Sequence, residues 1–450
     1  MQEVGARARR RIGRRLLPFL FLLYIIAFLD RVNVAYAALG MTEDLGFSPE
    51  VFGFGAGIFF IGYFLLEIPG ALLVEKWSAR GWIARILITW GIATVVIGMV
   101  HTAQQFYWAR FFLGMAEAGF FPGIIVYLTH WFRAADRAKA VALFMAAIPI
   151  SNMIGAPLAG VILGVDWAGL PGWRWIFFLE GVPAIVCGVI TIFYLTDRPQ
   201  QARWLPADER DWIMAELEKE KREKKARMHF SVWQALRHRD VLLLALVYFL
   251  AVTGSYGVSF WLPTILKQLS GLSNLTVSLI SAAPYVLLLF TMILVGWSSD
   301  RRQERRWHTA VPLLIAGGAL AASIAVRSHL TAAILVLTLA TGFIWTFAPI
   351  FWALPTAILT EAAAAASIGF INSVGNLGGF AGPYAVGYLE KLTGSTSAGI
   401  ACLAATLVLA AIVVLSLRPS ELAATGRGPG AKPNITAVEQ RQRRPRSIPA

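Results

Sequence analysis

Twelve apolar stretches, each close to or above the length that crosses a lipid bilayer, follow one another along this 450-residue chain. A spanning helix needs about 20 mainly apolar residues, because it rises about 1.5 Å per residue through a hydrocarbon core about 30 Å thick. Only helices and closed barrels satisfy all backbone polar groups there. The pattern therefore predicts an all-α membrane protein with twelve transmembrane helices. The predicted spans, numbered 1 to 12, are 16–40, 49–75, 83–100, 104–128, 137–163, 173–195, 240–267, 276–299, 308–327, 331–360, 365–391 and 395–418.

The composition agrees with that prediction. Hydrophobic residues make up 57% of the chain and charged residues 15%, with a mean hydropathy of +0.63. Soluble domains carry about 25% charged residues. The net charge of +14 would suggest nucleic-acid binding in a soluble protein, but lysine and arginine also accumulate in the cytoplasmic loops of membrane proteins. We therefore expect contact with membrane lipid and no nucleic-acid partner.

The basic residues fall mostly on one side of the predicted topology. Of the 40 lysines and arginines, 34 lie in the N-terminal tail, in the loops after spans 2, 4 and 8, in the polar segment after span 6 or in the C-terminal tail. With twelve spans, all these segments are on the same side of the membrane. Positive charge marks that side as cytoplasmic. The sequence thus predicts a multi-pass protein of the cell inner (cytoplasmic) membrane with both termini cytoplasmic.

Two unrelated features recur at one spacing and predict an internal duplication. An acid before a basic cluster follows span 2 at Glu75 and follows span 8 at Asp300, 225 residues later. A proline beside small residues occurs in span 5 at Pro157 and in span 11 at Pro383, 226 residues later. Many transporters are built from two such repeats. The predicted organisation is a basic N-terminal tail (1–15), a six-helix bundle (16–195), a cytoplasmic central loop (196–239) with a charged helix at 208–225, a second six-helix bundle (240–418) and a disordered cytoplasmic tail (419–450).

Several motifs resemble those of a known family. The loops after spans 2 and 8 are similar to the signature loop of the major facilitator superfamily. Four further segments resemble its anion:cation symporter family, especially the bacterial tartrate-transporter-like branch: FLDRVNVA (28–35), YFLLEIPGALL (63–73), RFFLGMAEAGFFPG (110–123) and GWRWIFFLEGVPAI (172–185). That family also includes phthalate and sugar-acid permeases, sialin and the vesicular glutamate transporters. The resemblance covers 14–418 and implies the major facilitator fold. This chain departs from the signature at Glu75, where Asp is usual, and at Ser78, where Gly is usual.

Span 1 carries two adjacent charges at membrane depth, Asp30 and Arg31. Asp30 lies about 20 Å along the helix from Leu16, at about 1.5 Å per residue. Such charges cost at least about 2.5–3.5 kcal/mol each on insertion scales and usually face the bundle interior. Neighbouring helix positions point about 100° apart, so the two charges need separate partners. Span 4 offers Arg110 and Glu117, which are seven residues apart and therefore share one face.

These four charged residues have two interpretations. In the functional one, Arg31 holds the carboxylate of an anionic substrate, while Asp30 and Glu117 bind and release protons. Arg110 belongs with the anion-binding residues and biases the protonation of the acids, because a nearby guanidinium favours an ionised carboxylate. In the alternative, the four residues form structural salt bridges. The resemblance favours the first interpretation, since it implies proton coupling and anion binding at these positions.

Neutral polar and aromatic residues occupy the corresponding part of the second half. We predict that Tyr256, Trp352 and Asn376 contact the non-acidic end of the substrate. Asn372 joins them because it resembles the family's asparagine in span 11, and Tyr63 in span 2 is a further candidate. Aromatic packing and interhelical hydrogen bonds are the alternative for each of these residues.

The predicted gating residues are the acid–base pairs of the two signature loops. They are Glu75, Lys76, Asp300 and Arg301. Small residues in spans 5 and 11 allow close helix contact, and we expect them to hold the halves together on the cytoplasmic side in an outward-open state. Glu67, on the same helix face as Tyr63, either titrates or marks a helix break before Pro69.

The sequence contains no phosphate-cradling glycine loop, metal-ligand cluster or catalytic triad, so we expect a transporter without cofactor or metal, and not an enzyme. The favoured function is a proton-coupled symporter that imports a small organic anion, such as tartrate or another hydroxy or sugar acid, and acts as a monomer. The alternatives are a proton/drug antiporter and an aromatic-acid permease on the same fold. A membrane enzyme for lipid-linked substrates is disfavoured, because it would need a carboxylate or histidine cluster near an interface.

Overall fold

The structure, a computed structural model, describes residues 2–76, 78–225, 238–355 and 361–417. All of the predicted disordered tail (419–450) and the middle of the central loop (226–237) lie outside these ranges. Within them the chain is helical, with one isolated bridge between Trp167 and Leu170 in place of any strand. The predicted all-α architecture is confirmed.

Eight helices make up the first half of the chain. They are α1 (Gln2–Asp44), α2 (Pro49–Lys76), α3 (Ala79–Ile97), α4 (Ala103–Glu117), α5 (Phe120–Trp131), α6 (Ala134–Met145), α7 (Ala147–Leu163) and α8 (Gly172–Tyr194). A 3-10 turn at Pro199–Gln201 and helix α9 (Ala207–Lys225) follow. The second half contains α10 (Arg239–Ser270), α11 (Asn274–Arg302), α12 (Arg306–Ala325), α13 (Leu330–Phe343), α14 (Ala348–Phe351), α15 (Glu361–Asn376), α16 (Gly378–Thr393) and α17 (Thr396–Ser416).

Ten helical segments in the described part are long and apolar enough to cross a membrane. The two remaining predicted spans are interrupted: span 5 is α6 followed by α7, and span 11 is α15 followed by α16. Spans 4 and 10 are also divided, into α4 and α5 and into α13 and α14. By contrast, α2 continues through Pro69, so the helix break considered for this position does not occur.

The N-terminal basic segment differs from the sequence expectation. We predicted a tail at 1–15, but α1 begins at Gln2 and is continuous with span 1. Ion pairs with the central helix α9 stabilise this extension: Arg7 Nη2 lies 2.9 Å from Asp208 Oδ2, and Arg11 Nε lies 3.0 Å from Glu209 Oε2. Helix α9 matches the charged helix predicted at 208–225.

The two halves meet along two seams. In the first seam, α2 packs against α15 and α16; in the second, α11 packs against α7. We call the face that carries the loops at 45–48, 98–102 and 394–395, opposite the helix ends at Gln2 and Ser416, the far face.

Glycines bring the two backbones together at the far-face end of both seams. A Cβ atom at Gly53 would lie 2.4 Å from the carbonyl oxygen of Pro383, and one at Gly387 would lie 2.3 Å from that of Pro49. In the second seam, a Cβ at Gly160 would lie 2.7 Å from Ser278 Cβ. Small residues of spans 5 and 11 were expected to hold the halves together on the side of the termini. In this conformation they close the far face instead, because they lie in the far-face parts of their helices.

Candidate functional site

A cavity of about 60 Å³ lies between the two halves. On this scale it holds only a few water molecules, so the surrounding side chains fill most of the space. Its lining residues are mainly phenols, other aromatic rings and amides around one guanidinium: Tyr24, Phe28, Arg31, Tyr63, Phe121, Met145, Ile148, Tyr248, Tyr256, Trp345, Ala348, Trp352, Asn372 and Asn376. Six of the seven predicted substrate-binding residues are therefore brought together.

Arg31 is the charged group of this cavity and touches both halves of the protein. Its Nη2 forms an ion pair with Glu117 of α4, and its Nη1 donates to the Tyr256 hydroxyl of α10 at 3.2 Å. The guanidinium also lies 5.1 Å from the ring centroid of Phe28 and 5.5 Å from that of Tyr63. Its side chain is 11% exposed. A desolvated guanidinium with one carboxylate partner and free N–H edges is suited to a second carboxylate.

The local sequence explains why Glu117 points to Arg31. Helix α4 ends at Glu117, and Gly119 adopts a left-handed conformation with φ 85° before α5 begins. Glycine takes this conformation at no steric cost. A carboxylate at the C-terminal end of a helix is disfavoured by the helix dipole, and Glu117 is 1% exposed. The Arg31 guanidinium is what stabilises an ionised carboxylate there.

The second half contributes the neutral wall of the cavity. Tyr256 lies 225 residues after Arg31, so two residues at the spacing of the predicted repeat contact each other where the halves meet. Its ring packs edge-on against Trp345, with centroids 4.9 Å apart. Tyr248 packs against Trp352 in the same way, also at 4.9 Å. Asn372 and Asn376 complete this wall from α15.

Asp30 points away from the cavity. It is 1% exposed and accepts hydrogen bonds from the indole N–H of Trp90 in α3 and from Asn33 Nδ2, the latter at 3.4 Å. No cation of the described residues forms an ion pair with it. Asp30 and Arg31 thus have separate partners, as the helix geometry required, and only Arg31 reaches the cavity.

Arg110 is the predicted substrate-binding residue that the structure places elsewhere. It is fully buried, and its guanidinium donates to the carbonyl oxygens of Gly55 at 3.4 Å and Ala56 at 3.1 Å in α2. It also lies 5.0 Å from the ring centroid of Phe59. In this conformation Arg110 joins α4 to α2 and does not line the cavity.

The predicted gating residues are described only in part. The side chains of Glu75 and Lys76 lie outside the described part of the chain. Asp300 Oδ1 is 2.6 Å from Arg305 Nη1 within its own loop, and Arg301 lies over the Trp297 ring at 5.4 Å.

The unusual Ser78 of the first signature loop has a structural role. Its hydroxyl accepts from Gly81 N at 2.9 Å at the start of α3. It also donates to Asp197 Oδ2 at 2.8 Å, just after α8. Glycine could make neither contact, since both use the side chain.

The sequence analysis missed several residues of this region. Tyr24 lies seven residues before Arg31, which places both on one helix face and gives a signal that would have identified it. Glu180 in α8 is 5% exposed, and its Oε2 has no hydrogen-bond partner in the described structure. An acid in an apolar span is the signal that identified Asp30, and the same signal applied to Glu180. Glu67, the acid of span 2 considered above, is likewise buried, with 4% exposure.

Comparison with known proteins identifies the family. The model of the Major Facilitator Superfamily matches residues 20–383. The chain belongs to the major facilitator superfamily. A protein of Agrobacterium vitis named "Putative tartrate transporter" is 46% identical over 416 residues, which cover 92% of this chain and 95% of that protein. A "Quinolone resistance transporter" of Acinetobacter baumannii is 38% identical over 392 residues, which cover 87% of this chain and 90% of that protein.

The fold is shared with solved structures of this superfamily. The crystal structure of a bacterial homologue of the human lysosomal transporter Spinster has a TM-score of 0.70 at 18% identity, and the match covers 91% of this chain and 95% of that one. The predicted twelve-helix major facilitator fold is therefore confirmed. This major facilitator protein is a multi-pass membrane protein and a secondary transporter, not an enzyme.

Proposed function

We propose that the protein is a proton-coupled symporter that imports a small organic anion, such as tartrate or another hydroxy or sugar acid. The observation that carries this proposal is the ion pair between Arg31 and the buried Glu117 at the wall of the central cavity. The name of the Agrobacterium vitis relative supports the substrate class. Four phenols and two amides around the guanidinium offer hydrogen bonds to hydroxyl groups and to a second carboxylate.

The ion pair suggests how substrate and proton are coupled. A substrate carboxylate that approaches Arg31 competes with Glu117 for the same guanidinium. Once displaced, Glu117 would be a buried carboxylate without its cation, which is strongly unfavourable. Taking up a proton removes that cost. Substrate binding therefore favours protonation of Glu117, and the pocket keeps one negative charge beside Arg31 in both states.

Asp30 is proposed as a second proton site that does not touch substrate. Its partners are the neutral donors Trp90 and Asn33. A proton gained there would change the net charge of the first half without occupying the cavity. Co-transported protons offset the cost of moving an anion inward, which is about 2.3 kcal/mol per charge at 100 mV.

The proposed cycle is alternating access between two six-helix halves. The distribution of lysine and arginine supports cytoplasmic termini in the inner membrane. The far face is then the external face, which is closed in this structure by the glycine contacts of both seams.

The experiment that tests this function uses purified protein in proteoliposomes with a pH-sensitive dye inside. Tartrate, galactonate, glucarate, phthalate and 4-hydroxyphenylacetate are added outside in turn. We expect one hydroxy acid to acidify the lumen, and Glu117→Gln to abolish the acidification. Uptake without acidification, equal in wild type and Glu117→Gln, would contradict symport.

Export of an aromatic compound in exchange for protons is the second candidate. The aromatic residues of the cavity wall and the quinolone-resistance relative favour it. In the same liposomes an antiporter would make the lumen alkaline when a drug-like cation enters, whereas the organic acids would have no effect.

A further inference from the structure

Glu67 joins the two halves of the transporter from inside the first seam. It belongs to α2, yet its hydrogen-bond partners belong to α15 of the other half: Asn372 Nδ2 donates to Oε1, and Ser373 Oγ donates to Oε2 at 3.1 Å. The carboxylate is 4% exposed. No lysine, arginine or histidine of the described residues forms an ion pair with it, so neutral donors from the opposite half are its direct partners.

The position of this contact along the seam is informative. From the far face inward, α2 meets span 11 first through the pair Glu50–Lys391 at the rim and then through the glycine contacts at Gly53 and Gly57. Glu67 follows about 15 Å below Gly57, at about 1.5 Å per residue. Glu67 is therefore a buried polar contact between the halves, on the inner side of the glycine contacts.

Among the side chains that the structure describes, the second seam has no counterpart to this contact. The residue 225 positions after Glu67 is Met292, and the residue 226 positions before Asn372 is Ala146. Both line a cleft of about 290 Å³ between the halves, together with Met145 and Gly296. The repeat-related sites thus differ: the first seam has hydrogen bonds to the buried Glu67 carboxylate, whereas the second opens into a cleft that also carries the Asp300–Arg305 ion pair.

Asn372 has a second role that conflicts with the first. Its side chain lines the central cavity with Arg31 and Tyr63, and it donates to Glu67 at the same time. A carboxylate bound at Arg31 is an acceptor that competes for this amide. The Asn372 NH2 group has two N–H donors, one of which bonds Glu67. A substrate carboxylate that draws this amide toward Arg31 therefore pulls it away from Glu67.

We propose that Glu67 is a latch between the halves: it holds Asn372 and Ser373 against α2 and keeps the far face closed, and an anionic substrate loosens it by taking the Asn372 amide. The second clause rests on the proposed transport function, while the first does not. Glu67 acts through Asn372 and is a positioning residue. The empty transporter has to break the latch unaided, so exchange of internal for external acid is faster than net uptake.

The test measures the distance across the far face in the full-length protein. Spin labels are attached at Gln104→Cys and Ser328→Cys, which lie in exposed positions at far-face ends of the two halves, after Cys187 and Cys402 are replaced. Without substrate, Glu67→Ala is expected to raise the ratio of long to short distances about tenfold, as expected for loss of a hydrogen bond to a charged group. Glu67→Gln, which can still bond Asn372 and Ser373, is expected to have a smaller effect.

Two further variants keep the test decisive. Ser373→Ala weakens the latch from the other half without touching the cavity lining and should shift the distances in the same direction as Glu67→Ala. Glu50→Gln, which breaks the exposed rim pair in the same seam, should have little effect, because exposed ion pairs contribute little. Unchanged distances in both Glu67→Ala and Ser373→Ala would overturn the latch.

Transport is measured separately by exchange and net uptake of the acid that wild type carries. Addition of this acid should lengthen the wild-type distances, and the excess of exchange over net uptake should shrink in Glu67→Ala. Equal rate ratios in the two proteins would overturn the link to transport. If wild type carries none of the acids, the proposed function fails, but the distance shift in substrate-free Glu67→Ala still decides the latch.

Discussion

The two walls of the central cavity come from halves with the same fold but carry different chemistry. The first-half wall contains Arg31 with its counter-ion Glu117, whereas the described residues of the second-half wall, such as Tyr256, Asn372 and Asn376, are uncharged. Arg31 of the first half and Tyr256 of the second touch each other. The two halves thus share a scaffold, whereas the charged residues described at the cavity lie in the first half.

This difference has a mechanical consequence. The ion pair between Arg31 and Glu117 lies within the first half, so a rocking motion of rigid halves preserves it. The hydrogen bond between Arg31 and Tyr256 crosses the halves and has to break when they separate. Rocking of rigid halves would thus leave the Arg31–Glu117 ion pair intact and break the Arg31–Tyr256 hydrogen bond.

The largest effect is expected from removing the charge of the first wall. Arg31→Gln should weaken substrate binding at least about 30-fold, because loss of one partner of a desolvated charge pair costs about 2–5 kcal/mol. The measurement is the half-saturation concentration in counterflow assays. Arg31→Lys, which keeps the charge but loses the planar guanidinium, is the matched control. Its half-saturation concentration should lie between those of wild type and Arg31→Gln.

Arg31→Gln leaves Glu117 buried without its cation. The melting temperature of this variant should therefore also fall. The double variant Arg31→Gln/Glu117→Gln should recover stability but not transport. Normal substrate affinity in Arg31→Gln would place the anion site elsewhere.

The next effect concerns pH. If substrate and Glu117 compete for Arg31, protonation of Glu117 frees the guanidinium, so substrate affinity should rise as pH falls. For one linked proton the change is at most about tenfold per pH unit. In Glu117→Gln the affinity should be high and independent of pH. Binding measured by calorimetry between pH 5 and 8 checks this, and an unchanged slope in the variant would exclude Glu117 as the coupling residue.

A smaller and different effect is expected at Asp30, which belongs to the first half but not to its wall. Asp30→Asn keeps an oxygen acceptor for Trp90, so substrate affinity in counterflow should stay within about twofold of wild type. Proton-driven accumulation should nevertheless fall, because the side chain no longer titrates. A loss of affinity equal to that of Arg31→Gln would show that Asp30 contacts substrate in another conformation.

The smallest effect on proton-driven accumulation is expected from the neutral wall. Tyr256→Phe removes one hydroxyl from the Arg31 environment and should raise the half-saturation concentration about fivefold, the equivalent of about 1 kcal/mol for one hydrogen bond. The pH dependence should be unchanged. Tyr36→Phe, at a buried tyrosine of α1 outside the cavity, serves as the control. A changed pH slope in Tyr256→Phe would mean that the second wall also takes part in coupling.

Much of the fold could be predicted because the membrane imposes strong rules on sequence. Apolar length identified the helices, and the helix at 208–225 followed from its charge. The interruptions of spans 5 and 11 were not predicted, since short helices that pack against protein need not be apolar along their whole length. The helical form of 1–15 was also missed, because its ion-pair partners in α9 lie about 200 residues away in the sequence.

The candidate site was predictable to a similar degree. Charges in apolar spans identified Arg31, Glu117 and Asp30, because the cost of burying a charge makes such residues rare. The same rule overestimated Arg110, whose guanidinium is satisfied by backbone carbonyls of α2. It left Glu67 undecided between titration and a helix break, since sequence alone does not show that Asn372 and Ser373 lie opposite it.

The sequence by itself determined that the chain is a duplicated helical membrane protein with buried charges in its first half, because hydropathy and charge burial act locally on each span. The tertiary structure decided which charges meet. Whether Asp30 or Arg31 faces the cavity, whether Glu117 reaches a guanidinium and whether Glu67 finds donors all depend on helix rotation and on contacts between residues 60 to more than 300 positions apart. These contacts are set by how the helices pack against one another, which the sequence of a single span does not encode.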